Sequence, residues 1–596
     1  MEPTRKGAEL NSLGRDSHCS QRGIAKVLAA VKRDGVPEAF SERTQYRDRK
    51  RFARLQTPCG TLVERKTLCL SDGTEEVVGI QNPLAFFYQS VLDCKGFGTM
   101  VERAIARSGV DVPWGLILYN DGITPQDSAS SHDQRKLISI YWAFREYGAA
   151  ALCAEESWGI LATIRTKVLS KYHGGLSRFT TEVLDNYFFN EAGRRNLETG
   201  FQLPDGTVLK GNMWCFIADE PALKDFFLVK GHAGLLPCCL CRNVVLHRFF
   251  DARVHCAPFV STACFDWDAF QLHSDASIRG LYLHLAEAHG RGELDEEMEI
   301  STGLGYSDFG LIHNRRVHVA TQLMYDWPHC YVVGGLLDIE IGQCFRELSR
   351  VRSPTTYAVL GGFLEHWTWP HRQSPPIGKL FDEAAIRSHS NAGAFKANAS
   401  DIMSLAPVLN FFLTRVTREQ GFSLPQVDSL IACIDVVELL MCVRHGVVTA
   451  DTLKTALLRH LGLYKAAYGE EACRPKHHYS LHLWKMLKEF GMLISCLTLE
   501  RLHKVPKRYV ANRRNTTSYE LGTIEDPCEK SRWPFKQPTN ECNFIRNQTF
   551  SYSAHAHAYD HNFKVNGRCY KKQLRASATL TINIVSTIAL QSPAEY

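Results

Sequence analysis

The sequence predicts an α/β fold, and two features of the chain indicate it. Short apolar runs rich in β-branched and aromatic residues, typical of buried strands, lie between residues 112 and 219. Long stretches with the apolar periodicity of helices lie between residues 243 and 474. The chain has 596 residues and is 45% hydrophobic, enough for several cores, so we expect a multidomain or heavily inserted fold.

Residues 1–60 predict a basic helical region. The stretch QRGIAKVLAAVKRDG has apolar residues at helical spacing and ends at Gly35, and Ser41 can cap a second helix within SERTQYRDRKRFAR. This second helix carries six basic residues: Arg43, Arg47, Arg49, Lys50, Arg51 and Arg54. Their density suits contacts with DNA phosphates, and a solvated charged helix is the alternative interpretation. Residues 61–110 are predicted to form a connecting region.

Residues 111–242 predict the first part of an α/β core. PWGLILYNDG predicts a strand that begins at Trp114 and delivers Asp121 at its end, where Gly122 is expected to break the strand. KLISIYWAF predicts a second strand and TEVLDNYFF a helix, and NMWCFIADEP predicts a further strand that ends at Asp219. This order, with an acidic residue at the end of the first and last strands, suits an RNase H-like sheet.

The two carboxylates at the strand ends form a candidate metal site. On adjacent strands, Asp121 and Asp219 would lie close enough to share two divalent cations about 3.5–4 Å apart, which activate a nucleophile and stabilise a leaving oxygen. Oxygen ligands favour Mg2+ or Mn2+. Each residue alone has a simpler interpretation, because Asp121 with Gly122 is a common turn dipeptide and Asp219 can cap a helix starting at Pro221.

Residues 475–524 carry a histidine pair and a third acidic residue. In HHYSLHLW, His478 and His482 lie one helical turn apart and can share a metal ion, although such a pair on an apolar helix is often part of a core. Glu500 follows at the start of a basic helix. The basic residues of that helix are Arg501, His503, Lys504, Lys507 and Arg508. An acid among so many cations suits a site that handles phosphate.

Several strings together resemble the DDE transposases of CACTA (En/Spm-like) elements and, more distantly, the catalytic core of the V(D)J recombinase, over roughly residues 110 to 520. LYNDGITP matches the first family motif at Asp121, and ADEPAL supplies Asp219 ahead of a proline and a downstream CxxC. The other matches are PCCLC with Cys238 and Cys241, MYDWPHCYVVGG with Asp326 and His329, HHYSLH with His478 and His482, and TLERLHK with Glu500.

The resemblance implies an α/β fold with an RNase H-like catalytic sheet, interrupted by a large, mainly α-helical insertion at residues 243–474. It implies that Asp121, Asp219 and Glu500 bind two catalytic Mg2+ or Mn2+ ions. Residues 475–524 would then hold a zinc-binding histidine helix and the final catalytic helix.

The resemblance also implies one structural Zn2+ site that ties the insertion to the sheet. Its tetrahedral ligands are Cys238, Cys241, His478 and His482. Two intervening residues favour the chosen cysteines and a shared helical face favours the chosen histidines, while Cys239 and His477 stay open as substitutes. The roles of Asp326 and His329 also stay open.

The expected function is that of a DNA transposase, which cleaves transposon ends and joins them to target DNA by two-metal phosphoryl transfer. Its expected partners are double-stranded DNA and further copies of the chain on that DNA, in the nucleus. Lys504 and Lys507 join the N-terminal basic cluster as expected DNA contacts. The alternative is a catalytically inactive, domesticated protein derived from a transposase that still binds DNA.

Residues 525–596 diverge from the family pattern and show no clear periodicity, so a disordered tail is one interpretation. The first twenty residues are polar and lack the apolar core of a secretory signal, and we therefore expect the 20 cysteines to be reduced. No run reaches eighteen consecutive apolar residues, so we expect no membrane-spanning helix and no membrane partner.

Overall fold

The computed structural model describes residues 21–35, 41–124, 136–193, 195–250, 258–351, 356–369, 375–422, 424–511 and 519–525, and four short strands beyond them. Seven strands form one main sheet. They are β1 (Val63–Cys69), β2 (Glu75–Gln81), β3 (Trp114–Ile123), β4 (Leu137–Phe144), β5 (Gly159–Arg165), β6 (Gly211–Ala218) and β7 (Leu323–Tyr325). The predicted α/β class is confirmed.

The main sheet has the strand order β7-β6-β3-β4-β5-β2-β1. β3, β4 and β5 form an antiparallel meander, β6 lies parallel to β3, and β7 lies parallel to β6. The hairpin of β1 and β2 extends the sheet beyond β5 by antiparallel pairing. The ends of β3, β6 and β7 therefore meet at one side of the sheet, which we call the carboxyl edge.

Apolar residues on both faces explain why these segments form a sheet. Every residue of β4 is buried, as are the first seven residues of β3, a pattern typical of strands covered on both sides. The helix Pro83–Asp93 begins after its N-cap Asn82. Phe87 on this helix packs edge-to-face against Trp114 and Phe144, with ring centroids 6.2 and 5.7 Å away.

Strand β3 continues past Gly122, so the prediction of a strand break and turn at this glycine is wrong. Asp121 to Ile123 continue the antiparallel pairing with β4. Ile123 is fully buried in a small cluster with Leu137 and Tyr519. Pairing and burial of these side chains keep the backbone extended through the glycine.

Four strands of the main sheet lie where the sequence predicted none. β1 and β2 fall in the predicted connecting region 61–110, β5 lies within the predicted first core segment 111–242, and β7 falls inside the predicted insertion 243–474. β7 has only three residues, too few for a periodicity signal. The region 243–474 therefore adds a strand to the carboxyl edge as well as helices.

Helices cover the sheet and build the region between β6 and Glu500. Those that follow or precede the sheet strands directly are Lys95–Ser108, Ala149–Leu152, Thr166–Lys171, Gly175–Val183 and Glu220–Phe227. Those within 243–474 are Asp275–Gly290, Glu296–Thr302, Val319–Gln322, Trp327–Tyr331, Leu336–Val351, Thr356–Glu365, Ile377–Leu380, Glu383–Ala392, Ala399–Phe411, Pro425–Val443 and Ala450–Tyr468. The long helix Pro425–Val443 packs against both Leu336–Val351 and Ala450–Tyr468, which makes it the centre of the helical region.

The C-terminal part of the core consists of short helices. They are Pro475–Ser480, Leu483–Phe490, Leu497–Leu502, Lys504–Ala511 and Tyr519–Glu525. The last of them packs on β2 and β5. There Glu520 forms an ion pair with Arg165, at the end of β5; the Glu520 side chain is fully buried and that of Arg165 is 12% exposed.

The two predicted N-terminal helices are present as Gln21–Asp34 and Glu42–Ala53. Ser41 caps the second helix, as predicted, and its side chain accepts a hydrogen bond from the first turn. Phe52 near the end of this helix is buried, and the helix contacts Tyr519–Glu525. The basic helix is thus docked on the core.

Short two-stranded pairings complete the fold. They are Gln56–Thr57 with Gly60–Thr61, Phe201–Gln202 with Val208–Leu209, Val244–Val245 with Val260–Ser261, Phe550–Tyr552 with Leu580–Ile582, and Phe563–Val565 with Arg568–Tyr570. The last two lie in the predicted tail, whose other residues after 525 lie outside the described part of the chain. Among the described residues, no helix combines the length and apolarity needed to cross a membrane.

Candidate active site and metal centre

Three aspartates lie side by side at the carboxyl edge. The parallel register of β6 with its two neighbours places Asp219 level with Asp121 on one side and with Asp326 on the other. Residues at one level of neighbouring parallel strands project to the same face of the sheet. Asp121 and Asp219 therefore lie on adjacent strands, as the sequence predicted, and Asp326 extends the row.

Asp219 and Asp326 share a local motif, Asp-x-Pro, which ends a strand and starts a helix. Asp219 caps Glu220–Phe227, because its Oδ1 accepts a hydrogen bond of 2.8 Å from a backbone N–H of the first turn. The predicted cap is therefore present, and the helix starts one residue before Pro221. Asp326 caps Trp327–Tyr331 through its other oxygen, Oδ2. Each cap uses one oxygen of the carboxylate. The other oxygen of Asp219, Oδ2, does not take part in the cap and is available at the carboxyl edge.

Glu500 reaches the carboxyl edge on the helix Leu497–Leu502. Buried Asp326 anchors the start of this helix, because its Oδ1 accepts a hydrogen bond of 3.0 Å from the N–H of Cys496. After burial, the charge of Glu500 is the largest influence on the proton affinity of Asp121. The structure thus brings the three predicted catalytic residues to one edge.

Burial and like charges raise the proton affinity of Asp121 and Asp219. Burial, followed by the charges of Glu500 and Asp219, raises the pKa of Asp121 to about 7. The nearby His329 and a hydrogen bond of 3.0 Å from the Tyr119 hydroxyl act in the opposite direction. Burial also raises the pKa of Asp219, and His329 opposes the increase. Bound cations would relieve this crowding of negative charge.

His329 lies between two of the three aspartates. Its Nδ1 forms a hydrogen bond of 2.5 Å with Asp326 Oδ2, and its Nε2 lies 3.9 Å from Asp219 Oδ2. Burial lowers the pKa of His329, but the hydrogen bond to Asp326 and the charges of Asp326, Asp219 and Asp121 raise it to about 9. The sequence left His329 without a role, and the structure places it in the site.

His503 is a second imidazole in the site, which the sequence assigned only to the basic helix. Its Nε2 lies 3.7 Å from Asp121 Oδ2 and is buried without a hydrogen-bond partner. The ring packs against Tyr141, with centroids 5.4 Å apart. Burial lowers the pKa of His503 to about 3, so the ring is neutral. The sequence did contain a signal for its presence in the site: His503 follows Glu500 by three residues, and residues at this spacing share a helical face.

The four predicted zinc ligands lie together behind the carboxyl edge. His482 Nε2 is 3.5 Å from the Sγ atoms of both Cys238 and Cys241, and 3.3 Å from His478 Nε2. All four side chains are buried, and every ligand atom lies within 4.8 Å of the others. Although burial raises the pKa of the Cys238 thiol, the hydrogen bond from Cys241 and the two imidazoles lower it below its usual range. The group can hold a metal ion.

The local backbone differs from the single helix predicted for the histidine pair. Pro475–Ser480 ends before His482, which is the N-cap of the next helix. Both Leu481 and His482 keep helical backbone angles, so the two imidazoles still point the same way. The substitute ligands lie outside the cluster: the Cys239 thiol faces the Tyr325 hydroxyl at 4.0 Å, and His477 packs on Tyr464.

Two further groups in the described part of the chain place three ligand atoms within 4.8 Å. They are Asp326, His329 and Cys496, and Glu340, Cys433 and His460. In the second group, His460 Nε2 is hydrogen-bonded to Glu340 at 2.9 Å, while its Nδ1 meets the Tyr331 hydroxyl. The Ser429 hydroxyl donates to the other oxygen of Glu340. These hydrogen bonds satisfy Glu340 and His460 without a metal.

The predicted DNA-contacting residues fall into two surfaces. Four side chains of the helix Glu42–Ala53 and its C-cap are exposed and two are half-buried: exposed are Arg43, Arg47, Arg51 and Arg54, half-buried are Arg49 and Lys50. Lys504 is exposed and Lys507 half-buried on the helix Lys504–Ala511, just after Glu500. Lys507 lies close enough to His503 to influence its charge. Side-chain placement of Arg508 lies outside the described part of the chain.

The chain matches no family model, and no curated protein matches it. The interpretation of the site therefore depends on its own geometry and on the sequence motifs.

Proposed function

We propose that the protein is a DDE-type DNA transposase, which cuts transposon ends and joins them to target DNA. The observation that carries this proposal is the position of Asp121 and Asp219 at one level of adjacent parallel strands, with Glu500 facing them from a helix. Three carboxylates held together, two of them with a raised pKa, are typical of a site for divalent cations.

The order of the strands supports an RNase H-like catalytic sheet. A three-stranded antiparallel meander is followed by two strands added in parallel beside its first member. Asp121 lies near the end of the first of these five strands, Asp219 directly follows the fourth, and the helical region separates both from Glu500. This is the arrangement expected from the family resemblance, with β1 and β2 as an addition at the far side.

The residues fit a pair of Mg2+ or Mn2+ ions. Asp121, Asp219 and Glu500 offer only oxygen ligands, which these cations prefer, although their ligand atoms do not all lie within 4.8 Å of one another in this structure. Two such ions, when bound, activate an attacking oxygen and stabilise a leaving one. His503 points a free Nε2 at the same space and can bind a phosphate oxygen or a water molecule.

The chemistry would consist of two phosphoryl transfers at one site. Water attacks a phosphorus at the transposon end, the P–O3′ bond breaks, and a free 3′-hydroxyl remains. That hydroxyl then attacks a phosphorus of target DNA, forming one P–O bond as another breaks. The carboxylates would hold the cations that orient the scissile phosphate, while Lys504 and Lys507 on the adjacent helix would neutralise the DNA backbone.

The Cys2His2 group fits a structural zinc ion. Tetrahedral zinc, with bonds of about 2.3 Å to sulfur and about 2.0–2.1 Å to nitrogen, separates its ligands by about 3.5 Å from S to N and about 3.3 Å from N to N. The distances of 3.5 and 3.3 Å around His482 agree with these values. Four protein ligands leave no position for water, so the role is structural and catalysis belongs to the carboxyl edge.

A cleavage assay tests the proposal. The full chain is incubated in Mg2+ or Mn2+ with labelled duplex DNA that carries the ends of the genomic element encoding it, and the 3′ termini are mapped. We expect nicks with a free 3′-hydroxyl, joined products with target DNA, and no reaction with a chelator. Multimers on DNA and nuclear residence are expected of such an enzyme. A chain that binds this DNA but never cuts it would support the inactive, domesticated alternative.

A further inference from the structure

We propose that His329 is a nitrogen ligand of the metal centre at Asp219, and that Asp326 is the positioning residue that orients it. This inference depends on the proposed function only in taking Asp219 as a metal ligand. It gives the site an imidazole in addition to its three carboxylates, and it assigns a role to the string DWPH.

The hydrogen bonds of Asp326 determine which nitrogen of His329 is available. Asp326 Oδ2 lies 2.5 Å from His329 Nδ1, and its Oδ1 accepts the N–H of Cys496 at 3.0 Å. Asp326 is 1% exposed, so these contacts hold it rigidly. Only Nε2 is left, and it faces Asp219 Oδ2. The aspartates around the ring favour a proton on this nitrogen, and a cation bound there would displace it. A histidine that binds metal usually donates its other ring N–H to a carboxylate in this manner.

The separation of 3.9 Å between His329 Nε2 and Asp219 Oδ2 is within ion-pair range but is not a hydrogen bond, and the gap is wide enough for one cation that both atoms bind. A charge-assisted hydrogen bond between these groups would be about 2.7–2.9 Å long. Two ligand atoms about 2.1 Å from one ion are separated by about 3.0 Å at a right angle and by about 4.2 Å when opposite each other. The observed value is too long for the hydrogen bond and lies within the range for two ligands.

Comparing the observed distances with those between ligands of one metal ion also argues against a separate site made of Asp326, His329 and Cys496. The Cys496 Sγ atom lies 3.4 Å from His329 Nδ1, but that nitrogen is already hydrogen-bonded to Asp326 at 2.5 Å. Two ligands of one tetrahedral ion would be about 3.3 Å apart. Asp326 and His329 Nδ1 thus form a hydrogen bond, and the metal belongs on the Nε2 side.

An imidazole beside carboxylates should favour Mn2+ over Mg2+, because nitrogen ligands suit transition metals. The test uses Mn2+ itself as the probe, added without DNA to the full chain with zinc loaded. Pulsed electron paramagnetic resonance of the bound Mn2+ should show coupling to a directly bound nitrogen. Labelling all histidines with 15N should change that coupling from the 14N to the 15N pattern in the wild-type chain, which needs no substitution.

Variants then identify the histidine. His329→Gln should remove the nitrogen coupling, and Asp326→Asn should weaken Mn2+ binding about 10–100-fold while a weaker coupling remains. His366→Gln, at an exposed histidine hydrogen-bonded to a backbone carbonyl outside the site, is the control and should keep the coupling. The melting temperature of each variant checks that it is folded. The isotope experiment uses only the wild-type chain, so its result does not depend on the folding of any variant.

The outcomes separate this inference from the proposed function. If Asp219→Asn abolishes Mn2+ binding but wild type shows no histidine nitrogen, the ligand assignment is wrong and the carboxylate site stands. A coupling that survives His329→Gln also overturns the assignment. If Asp219→Asn leaves Mn2+ binding unchanged, both the metal centre of the proposed function and the role of His329 are wrong.

Discussion

His482 and Cys238 lie 244 positions apart in the chain, yet the histidine Nε2 is 3.5 Å from the cysteine Sγ. The contact joins the end of the first core segment to the helices that lead to Glu500. A metal ion held there would fix the position of the final catalytic helix relative to the sheet.

The first prediction concerns the metal content of this group. Elemental analysis should find about one zinc per chain, and Cys241→Ser or His482→Ala should remove it. Structural zinc contributes apparent binding free energies of ~10–16 kcal/mol in small domains, comparable with the ~5–15 kcal/mol total stability of a protein. We therefore expect a large fall in melting temperature. Cys239→Ser is the matched control and should keep the zinc; a stable wild-type chain without zinc would contradict the assignment.

The second prediction concerns the buried ion pair of Arg165 and Glu520. Glu520 is fully buried, and Arg165 also lies 3.2 Å from the more exposed Glu76. Glu520→Gln should lower the free energy of unfolding by about 3 kcal/mol, because it leaves a buried guanidinium with one weaker partner. Urea denaturation measures the change. Glu76→Gln is the control and should cost about 1 kcal/mol at most; equal costs would mean that Glu520 is not the main partner.

The third prediction concerns the three carboxylates of the candidate active site. Asp121→Asn, Asp219→Asn and Glu500→Gln should each abolish metal-dependent cleavage while DNA affinity stays near wild type. The melting temperature in the absence of divalent ions should stay the same or rise, because each change removes like-charge repulsion from a partly buried site.

Asp225→Asn supplies the control for this set. Asp225 lies on the helix that Asp219 caps, and burial followed by the charge of Asp219 raises its pKa to about 6. Its replacement removes a nearby charge without removing a proposed ligand, so cleavage should persist. If Asp326→Asn alone abolishes cleavage and Glu500→Gln is tolerated, the third carboxylate of the site is Asp326.

The strands that carry the first two carboxylates could be predicted from sequence because their cores are runs of β-branched and aromatic residues. The end of β3 could not, because whether a glycine stops a strand depends on the burial of Ile123 against Tyr519, which lies on a helix near the far end of the described chain. β7 was not predicted because it has only three residues. The string LMYDWP nevertheless has the same pattern as FIADEP, in which apolar residues are followed by Asp-x-Pro. The position of His329 beside Asp219 depends on long-range packing, which no local pattern records, whereas the spacing of His503 from Glu500 was a local signal.

The fourth prediction concerns Asp338, a buried carboxylate in the helical region. Burial raises its pKa to about 8, against the effect of backbone N–H groups of Gly334 and Gly335, and its Oδ1 has no hydrogen-bond partner. An aspartate in an unfolded chain has a pKa of about 4. The folded chain therefore binds this proton more tightly, and the stability that it contributes is complete below about pH 4 and is lost as the pH rises toward 8.

Asp338→Asn should abolish this pH-dependent decrease in stability, because the amide stays neutral. The difference in melting temperature between the variant and wild type should increase from pH 5 to pH 8 in favour of the variant. Asp451→Asn, which replaces an exposed aspartate in the first turn of Ala450–Tyr468, is the control for removal of a charge. A variant whose advantage does not grow with pH would show that Asp338 ionises normally in the folded chain.

The last prediction decides between the two interpretations of the basic helix Glu42–Ala53. Arg43, Arg47 and Arg51 are exposed on it, while Phe52 is buried and holds the helix on the core. If these arginines bind phosphates, replacing all three by Gln should reduce the slope of log affinity against log salt by about one unit for each phosphate that is no longer neutralised. Binding of duplex DNA is measured by anisotropy from low to moderate salt.

The matched control removes three exposed arginines from the helical region instead. Arg346, Arg387 and Arg415 are each more than half exposed and lie within 4 Å of a glutamate, so their charges are already partly balanced. Their replacement by Gln lowers the net charge by the same amount, and the salt slope should stay unchanged. Equal slopes for wild type and both triple variants would mean that Glu42–Ala53 is a solvated helix. The DNA would then be bound elsewhere, with Lys504 and Lys507 beside the carboxyl edge as the next residues to replace.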